Sequence, residues 1–299
     1  MRLLCLGDNN VDIYRGQGRI YPGGNCVNVA VYASRNGVEA AYLGNLGRDY
    51  PGRVQQRAME TNGVDVSRIR WWDEPTSAAD VEIVDGDRVF SNYTNEIHTV
   101  HPITLTDQEL QECAGFDWIH TSCYSILSAD TLPRLKAMGV PVSYDFSIEF
   151  TEQEIAALCP YITVAFFSCG HMSHEGLHNV LRKAYANGCR LAVATRGAEG
   201  AVLFDGTKFR VQPAYSVEPV DTMGAGDSFI ARFIQCYGDA MLRLTNCISK
   251  LESLGQKPLE LPQYEELVID YSLSQAALFS ANNCLSSGAF GNDQPLNEI

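Results

Sequence analysis

Two aspartates bracket a run of small residues in Asp221-Thr222-Met223-Gly224-Ala225-Gly226-Asp227. Glycine and alanine let a backbone approach a ligand closely. Phe229, Ile230, Phe233 and Ile234 follow at helical spacing, so the run reads as a turn that opens a helix. Such a turn presents first-turn N–H groups and the positive end of the helix dipole, which together bind anions. The N–H groups of Gly224, Ala225 and Gly226 are the candidate anion hole. Asp227 stands beside it, where a carboxylate repels a bound anion unless it has chemistry to do. That chemistry is removal of a proton from an attacking hydroxyl while the N–H groups hold the group being transferred. On spacing alone a plainer reading fits equally well, with Asp227 as the cap of a helix that follows a flexible turn.

These residues must be held by a scaffold. The chain has 299 residues, 45% of them hydrophobic and 19% charged, enough for one large α/β unit with a small appendage. A net charge of −14 with no run of Lys or Arg argues against nucleic-acid binding. Ten cysteines are scattered without a Cys-x-x-Cys pair, which points to buried reduced thiols in a cytoplasmic protein. The N-terminus runs straight into an apolar segment without a charged leader, so no secretory signal is expected. No apolar run reaches the roughly 20 residues of a membrane span.

Strand-like runs occupy residues 2–7, 40–45, 118–121, 142–145, 163–167, 191–195 and 201–204. Helical patterns fall at 27–36, 51–62, 131–138, 152–159 and 175–186. This alternation predicts a mostly parallel sheet with helices on both faces. Segments 11–21 and 78–97 break the rhythm and predict a small separate sheet, with a hairpin turn at Asp85-Gly86. Residues 250–263 contain Gly255, Pro258 and Pro262 and read as an irregular insertion before a helix at 264–282.

The 221–227 stretch resembles the second signature of the ribokinase-like (PfkB) carbohydrate kinase family at every defining position. Gly23-Gly24-Asn25-Cys26-Val27-Asn28-Val29-Ala30, followed by Gly37, Gly44 and Gly47, resembles the first signature. Gly7-Asp8 with Asp12 resembles the family's substrate-contacting carboxylates, and Thr195-Arg196-Gly197-Ala198-Glu199-Gly200 is similar to its nucleotide loop. The four occur in the family's order and span most of the chain. The resemblance implies a Rossmann-type three-layer α/β sandwich with a small β-sheet lid, residues 1–299 forming one domain and the lid lying within 11–21 and 78–97. It implies ATP and magnesium, with a monovalent cation a further option, and Asp227 as the base. Asp8, Asp12, Gly23, Gly24 and Asn28 would hold the sugar, and Thr195, Gly197 and Gly200 the nucleotide. A homodimer through the lid is a further implied option.

A narrower resemblance is to the fructoselysine 6-kinase branch, carried by Gly7-Asp8-Asn9, Val11-Asp12-Ile13-Tyr14, Asp87-Arg88-Val89-Phe90, Tyr93-Thr94 and Asp145-Phe146-Ser147. It implies phosphorylation of a primary hydroxyl of a fructosamine. Other sugars, or a nucleoside, are the alternatives. The family's Asn-x-x-Glu motif, linked to magnesium, is missing, because Phe167-Ser168-Cys169-Gly170-His171 stands in its place.

Arg88 reads equally as a partner for a phosphate or substrate carboxylate and as an edge-strand charge. Asp145 ends a strand-like run, where open α/β sheets bind ligands. His171, His174 and His178 have spacing for a metal site, but Ser173 as N-cap would put His171 outside the helix, so no metal site is expected. Trp71-Trp72 is expected to pack under the lid rather than stack on a ligand. No Gly-x-x-x-x-Gly-Lys-Ser/Thr occurs, which excludes a P-loop enzyme.

Overall fold

Leu3 and Cys5 fall in one hydrophobic cluster and Leu4 and Leu6 in another, all four fully buried. Side chains alternate across a strand, so this strand is covered on both faces. A computed structural model describes residues 1–84, 87–255 and 261–296. The chain opens with β1 (Arg2–Leu6), β2 (Asn10–Tyr14), β3 (Arg19–Gly23), α1 (Asn25–Arg35), β4 (Glu39–Leu43), β5 (Asn45–Gly47) and α2 (Tyr50–Thr61). It continues through β6 (Arg70–Trp72), β7 (Ala78–Val84), β8 (Asp87–Thr94), α3 (Glu96–Val100), α4 (Asp107–Cys113), β9 (Trp118–Ser122) and α5 (Thr131–Ala137). Then come β10 (Val142–Asp145), α6 (Glu152–Leu158), β11 (Val164–Ser168), α7 (His174–Ala186) and β12 (Leu191–Thr195). The last elements are β13 (Ala201–Phe204), β14 (Phe209–Gln212), α8 (Ala225–Ser253), α9 (Leu261–Asn283) and β15 (Gln294–Pro295).

The large sheet has the order β14-β13-β12-β11-β10-β9-β1-β4. Its six strands from β12 to β4 are parallel, β13 pairs antiparallel with β12, and β14 pairs antiparallel with β13. Residues of α1, α8 and α9 share one cluster with the sheet, and residues of α4 to α7 share the other. The result is the expected three-layer α/β fold. A second sheet, β15-β3-β2-β7-β8, takes β2, β3, β7 and β8 from the segments that broke the alternation and β15 from residues 294–295, over a small core of Val11, Ile13, Ile20, Val54 and Ala78. The Asp85-Gly86 turn lies outside the described residues.

One expectation needs correction. Residues 250–253 are not irregular; α8 runs on to Ser253, because Gly255 is the first residue able to break it, with φ +69°. Residues 256–260 lie outside the described part. Pro262 sits in the first turn of α9, where its missing N–H has no partner to lose. Among the described residues, no helix is long and apolar enough to cross a membrane.

Candidate active site

The carboxyl ends of the parallel strands converge on one cleft. Asp8 follows β1, Ser122 ends β9, Asp145 ends β10 and Thr195 ends β12. Open α/β sheets place ligands at such ends because the loops diverge there. Asp8 is buried and its carboxylate is taken up by the protein. It accepts from the Asn25 N–H at 2.7 Å, the Cys26 N–H at 3.3 Å, the Ser122 hydroxyl at 2.7 Å and the Ser125 hydroxyl at 3.1 Å. It therefore caps α1 from 17 residues upstream, which is why that helix starts at Asn25 and not at Val27 as its apolar spacing suggested. Sequence reasoning placed Asp8 among the sugar contacts; in the structure its carboxylate also anchors the start of α1.

Gly24 joins β3 to α1 with φ +100°, and a Cβ there would lie 2.5 Å from the Asn9 Cα. Only glycine permits that crossing. It delivers the first turn of α1 into the cleft. Asn25 donates through its amide nitrogen to Asp145 at 2.8 Å and to Asp227 at 2.7 Å. Asn28 donates to the other Asp227 oxygen at 2.6 Å. Asp145 also accepts from the Ser147 N–H at 2.8 Å. Ser147 holds φ +56°, a conformation costly for a residue with a Cβ and typical of functional sites.

Burial raises the Asp227 carboxyl to about 7; the carboxylates of Asp145 and Asp8 push the same way, and the Asn28 and Asn25 donors oppose them. Burial likewise raises Asp145 to about 7, helped by Asp8 and opposed by the Ser147 and Asn25 donors. Two such neighbours titrate as a pair. A carboxyl poised near neutrality suits general-base work.

Asp227 lies in the first turn of α8, and the residue that caps the helix is Gly224, with φ +69° and no side-chain cap bond. The plain N-cap reading of Asp227 is therefore excluded. The Ala225 N–H turns to the Thr222 carbonyl at 3.2 Å, so of the three expected anion-hole donors it is the one already engaged. Asp221 pins the turn by accepting from the Met223 and Gly288 N–H groups, each at 2.8 Å. A Cβ on Gly224 would meet the Tyr32 hydroxyl at 2.5 Å and Ala289 at 2.9 Å. Gly224→Ala is therefore expected to cost about 1–2 kcal/mol from the backbone alone and to shift the turn. A melting temperature unchanged from that of the parent chain would show that the turn does not need its glycine.

The turn borders a cavity of about 490 Å³ that Ala225, Gly226, Thr195, Gly197 and Gly200 line together. Gly200 holds φ +93°, and a Cβ there would sit 2.1 Å from the Gln212 carbonyl oxygen. Asp12 lies on β2 of the small sheet opposite Tyr21 and accepts from the Asn10 amide at 2.8 Å. Gly23 pairs with Asn10 at the end of β3. Arg88 is on β8, but its side chain lies outside the described residues.

The histidines do not gather. Ser173 caps α7 through the Gly176 N–H at 3.2 Å, His174 faces Arg196 and His178 stacks on Phe209 at 4.0 Å. Among the described residues no three His, Cys, Asp or Glu side chains stand grouped for a metal ion. Trp72 stacks on His101 at 3.6 Å and donates to Asn45 at 3.0 Å. Sequence reasoning passed over Ser122, Ser125 and His120. The available signal was polar side chains at the end of an otherwise apolar strand, His120-Thr121-Ser122, all fully buried.

The model of the pfkB family carbohydrate kinases matches residues 4–248. The fructosamine kinase FrlD of Bacillus subtilis is 34% identical over 99% of this chain and 95% of its own length. The fructoselysine 6-kinase of Escherichia coli is 32% identical over 86% of this chain and 97% of its own. In structure, the Arabidopsis thaliana ribokinase complexed with ribose and ATP superposes with a TM-score of 0.73 at 20% identity, covering 97% of this chain and 95% of that one. With its two Gly-rich turns and its paired aspartates set on this fold, the chain belongs to the pfkB family of carbohydrate kinases.

Proposed function

We propose that the chain transfers the γ-phosphoryl group of ATP to a primary hydroxyl of a fructosamine, with the 6-hydroxyl of fructoselysine as the preferred acceptor. The observation that carries this is Asp227, held by two amide donors beside the anion-binding turn and the cavity. The relatives named fructosamine kinase and fructoselysine 6-kinase support the acceptor. Asp227 takes the hydroxyl proton as the oxygen attacks. The N–H groups of Gly224 and Gly226, in a helix turn without intrahelical acceptors, hold charge developing on the phosphoryl oxygens. Asn28 Oδ1 is buried without a protein partner, which leaves it to accept from a sugar hydroxyl. Asp12, Gly23 and Gly24 complete the sugar side, and Arg88 of β8 is a further residue assigned to the substrate. The cavity lined by Thr195, Gly197 and Gly200 takes the nucleotide. The described residues form no cage for magnesium, and that ion commonly binds through substrate phosphates and one or two carboxylates. The small sheet acts as the lid that excludes water, since water competes with the sugar hydroxyl for the phosphoryl group.

An ADP-release assay with fructoselysine, fructose, ribose, adenosine and fructose 6-phosphate tests the acceptor. Fructoselysine is expected to exceed fructose in kcat/KM by at least about a hundredfold, a floor below the roughly 10⁴–10⁵ by which a site built for a substrate's polar groups rejects analogues lacking them. Equal or better turnover of plain fructose would sink the fructosamine assignment. ATP binding without ADP release on any sugar would instead mark a protein that has kept the fold and lost the reaction.

A further inference from the structure

A line of buried hydrogen bonds leads away from Asn25 into the sheet. Asn25 Oδ1 is 2.9 Å from His120 Nε2. His120 Nδ1 is 2.9 Å from the Ser143 hydroxyl, which in turn lies 3.0 Å from the Trp118 indole nitrogen. His120 and Ser143 are fully buried and Trp118 is 3% exposed. We propose that Trp118, Ser143 and His120 are positioning residues that fix the orientation of the Asn25 amide, so that both its N–H bonds point at Asp145 and Asp227 and the base is aimed.

The direction of the chain follows from donor chemistry. An indole nitrogen can only donate, so the Ser143 oxygen accepts from Trp118 and its own proton is directed elsewhere. The His120 ring at 2.9 Å is a better acceptor for that proton than the Ile119 carbonyl at 3.4 Å. His120 Nδ1 then accepts, and the neutral ring carries its proton on Nε2. That proton is given to Asn25 Oδ1. The amide cannot turn over, because its oxygen would then face two carboxylates and its nitrogen would face an N–H. Burial alone holds His120 down to about 3, so the ring stays neutral and the direction does not reverse with pH. Around Asp227 the charged or titratable groups are Asp145 and Asp8 from the strand ends and Tyr32 from α1. None of them replaces the Asn25 donor.

The inference rests on Asp227 being the base, and the variants separate the two. His120→Leu removes the Nε2 donor, whereas His120→Gln keeps an N–H near the same place. The Leu variant is expected to lose about tenfold to a hundredfold in kcat, the cost of a base held slightly out of line. KM for sugar and for ATP should stay within about twofold. The acid limb of the kcat profile should move to higher pH, since a freed amide no longer favours ionised Asp227. The Gln variant should restore most of the rate and return the limb. Ser143→Ala, a smaller change, should move the limb in the same direction by less, and it decides the matter if the Leu variant does not fold. An unmoved limb in the folded variants, or a rate loss that Gln fails to rescue, overturns the positioning role. Near-normal turnover by Asp227→Asn would overturn the base itself, a different result from a different variant.

Discussion

Asp227→Asn is expected to lower kcat by about a hundredfold to ten-thousandfold, the range that a positioned general base contributes. Sugar and ATP affinity should stay within about threefold, because phosphoryl transfer draws on Asp227 mainly as the hydroxyl proton leaves. The substitution is nearly isosteric, but it is not silent for the local bonds. Asp227 accepts from Asn25 at one oxygen and from Asn28 at the other. An amide has one acceptor oxygen, so one of these donors loses its partner. Asp145 shares the Asn25 donor and is relieved of a neighbouring charge in this variant. Single-turnover ADP release with binding measured by calorimetry separates the two terms. Turnover near that of the parent would remove Asp227 as the base and make Asp145 the next carboxylate to test.

The second large effect is with pH, and activity and stability are expected to move in opposite directions. In the proposed reaction the base must be ionised, and the Asp145–Asp227 pair is raised to about 7 at each site. Below that point kcat should fall about tenfold per pH unit, reaching about a hundredfold near pH 5. The stability contribution has the opposite sign. In the unfolded chain these carboxyls ionise near 3.8, and in the folded chain near 7. Between those values the folded state holds more protons than the unfolded state, so unfolding free energy falls as pH rises through the window. Asp227→Asn removes one such ionisation, so its melting temperature relative to the parent should rise between about pH 4 and pH 8, above a pH-independent loss from the unpaired amide donor. Calorimetric melts across pH 4–8 beside kcat profiles check both limbs. A parent chain whose rate is flat from pH 5 to 8 would contradict the raised pair.

How much of this was legible before the structure depends on whether each feature is set locally. The runs 142–145, 191–195 and 201–204 match β10, β12 and β13 because apolar, β-branched segments bounded by turn residues need no distant partner to be seen. The Gly-rich turn at 224–226 was legible for the same reason. The roles inside the cleft were not. Asn25 and Asp227 are 202 residues apart and Ser122 and Asp8 are 114 apart, and nothing in the order of residues says which amide meets which carboxylate. The part Asp8 plays in anchoring α1 was not legible, because a carboxylate after a strand end is common to both ligand contacts and helix caps. His120 was hidden by its own burial, because the polar run His120-Thr121-Ser122 at the end of β9 gives no sign that it is enclosed by the sheet. The long α8 was missed at its far end because Gly255 and Pro258 were weighed as breakers from residue 250 onward, whereas helical contacts carry the chain to Ser253.

β15 pairs with β3 at Gln294↔Ile20 and Pro295↔Arg19, with Arg19 also bridged to Asp293 and Tyr50 donating to the Pro295 carbonyl at 2.8 Å. The small sheet thus joins residues near the start of the chain to residues about 275 positions later, a contact of very high sequence separation. During synthesis residues 294–295 must emerge before β3 gains this neighbour. Until then the outer edge of β3 offers unpaired N–H and C=O groups to any passing strand. The small sheet is therefore completed only once residues 294–295 have emerged, and until then the nascent chain carries an open edge at β3.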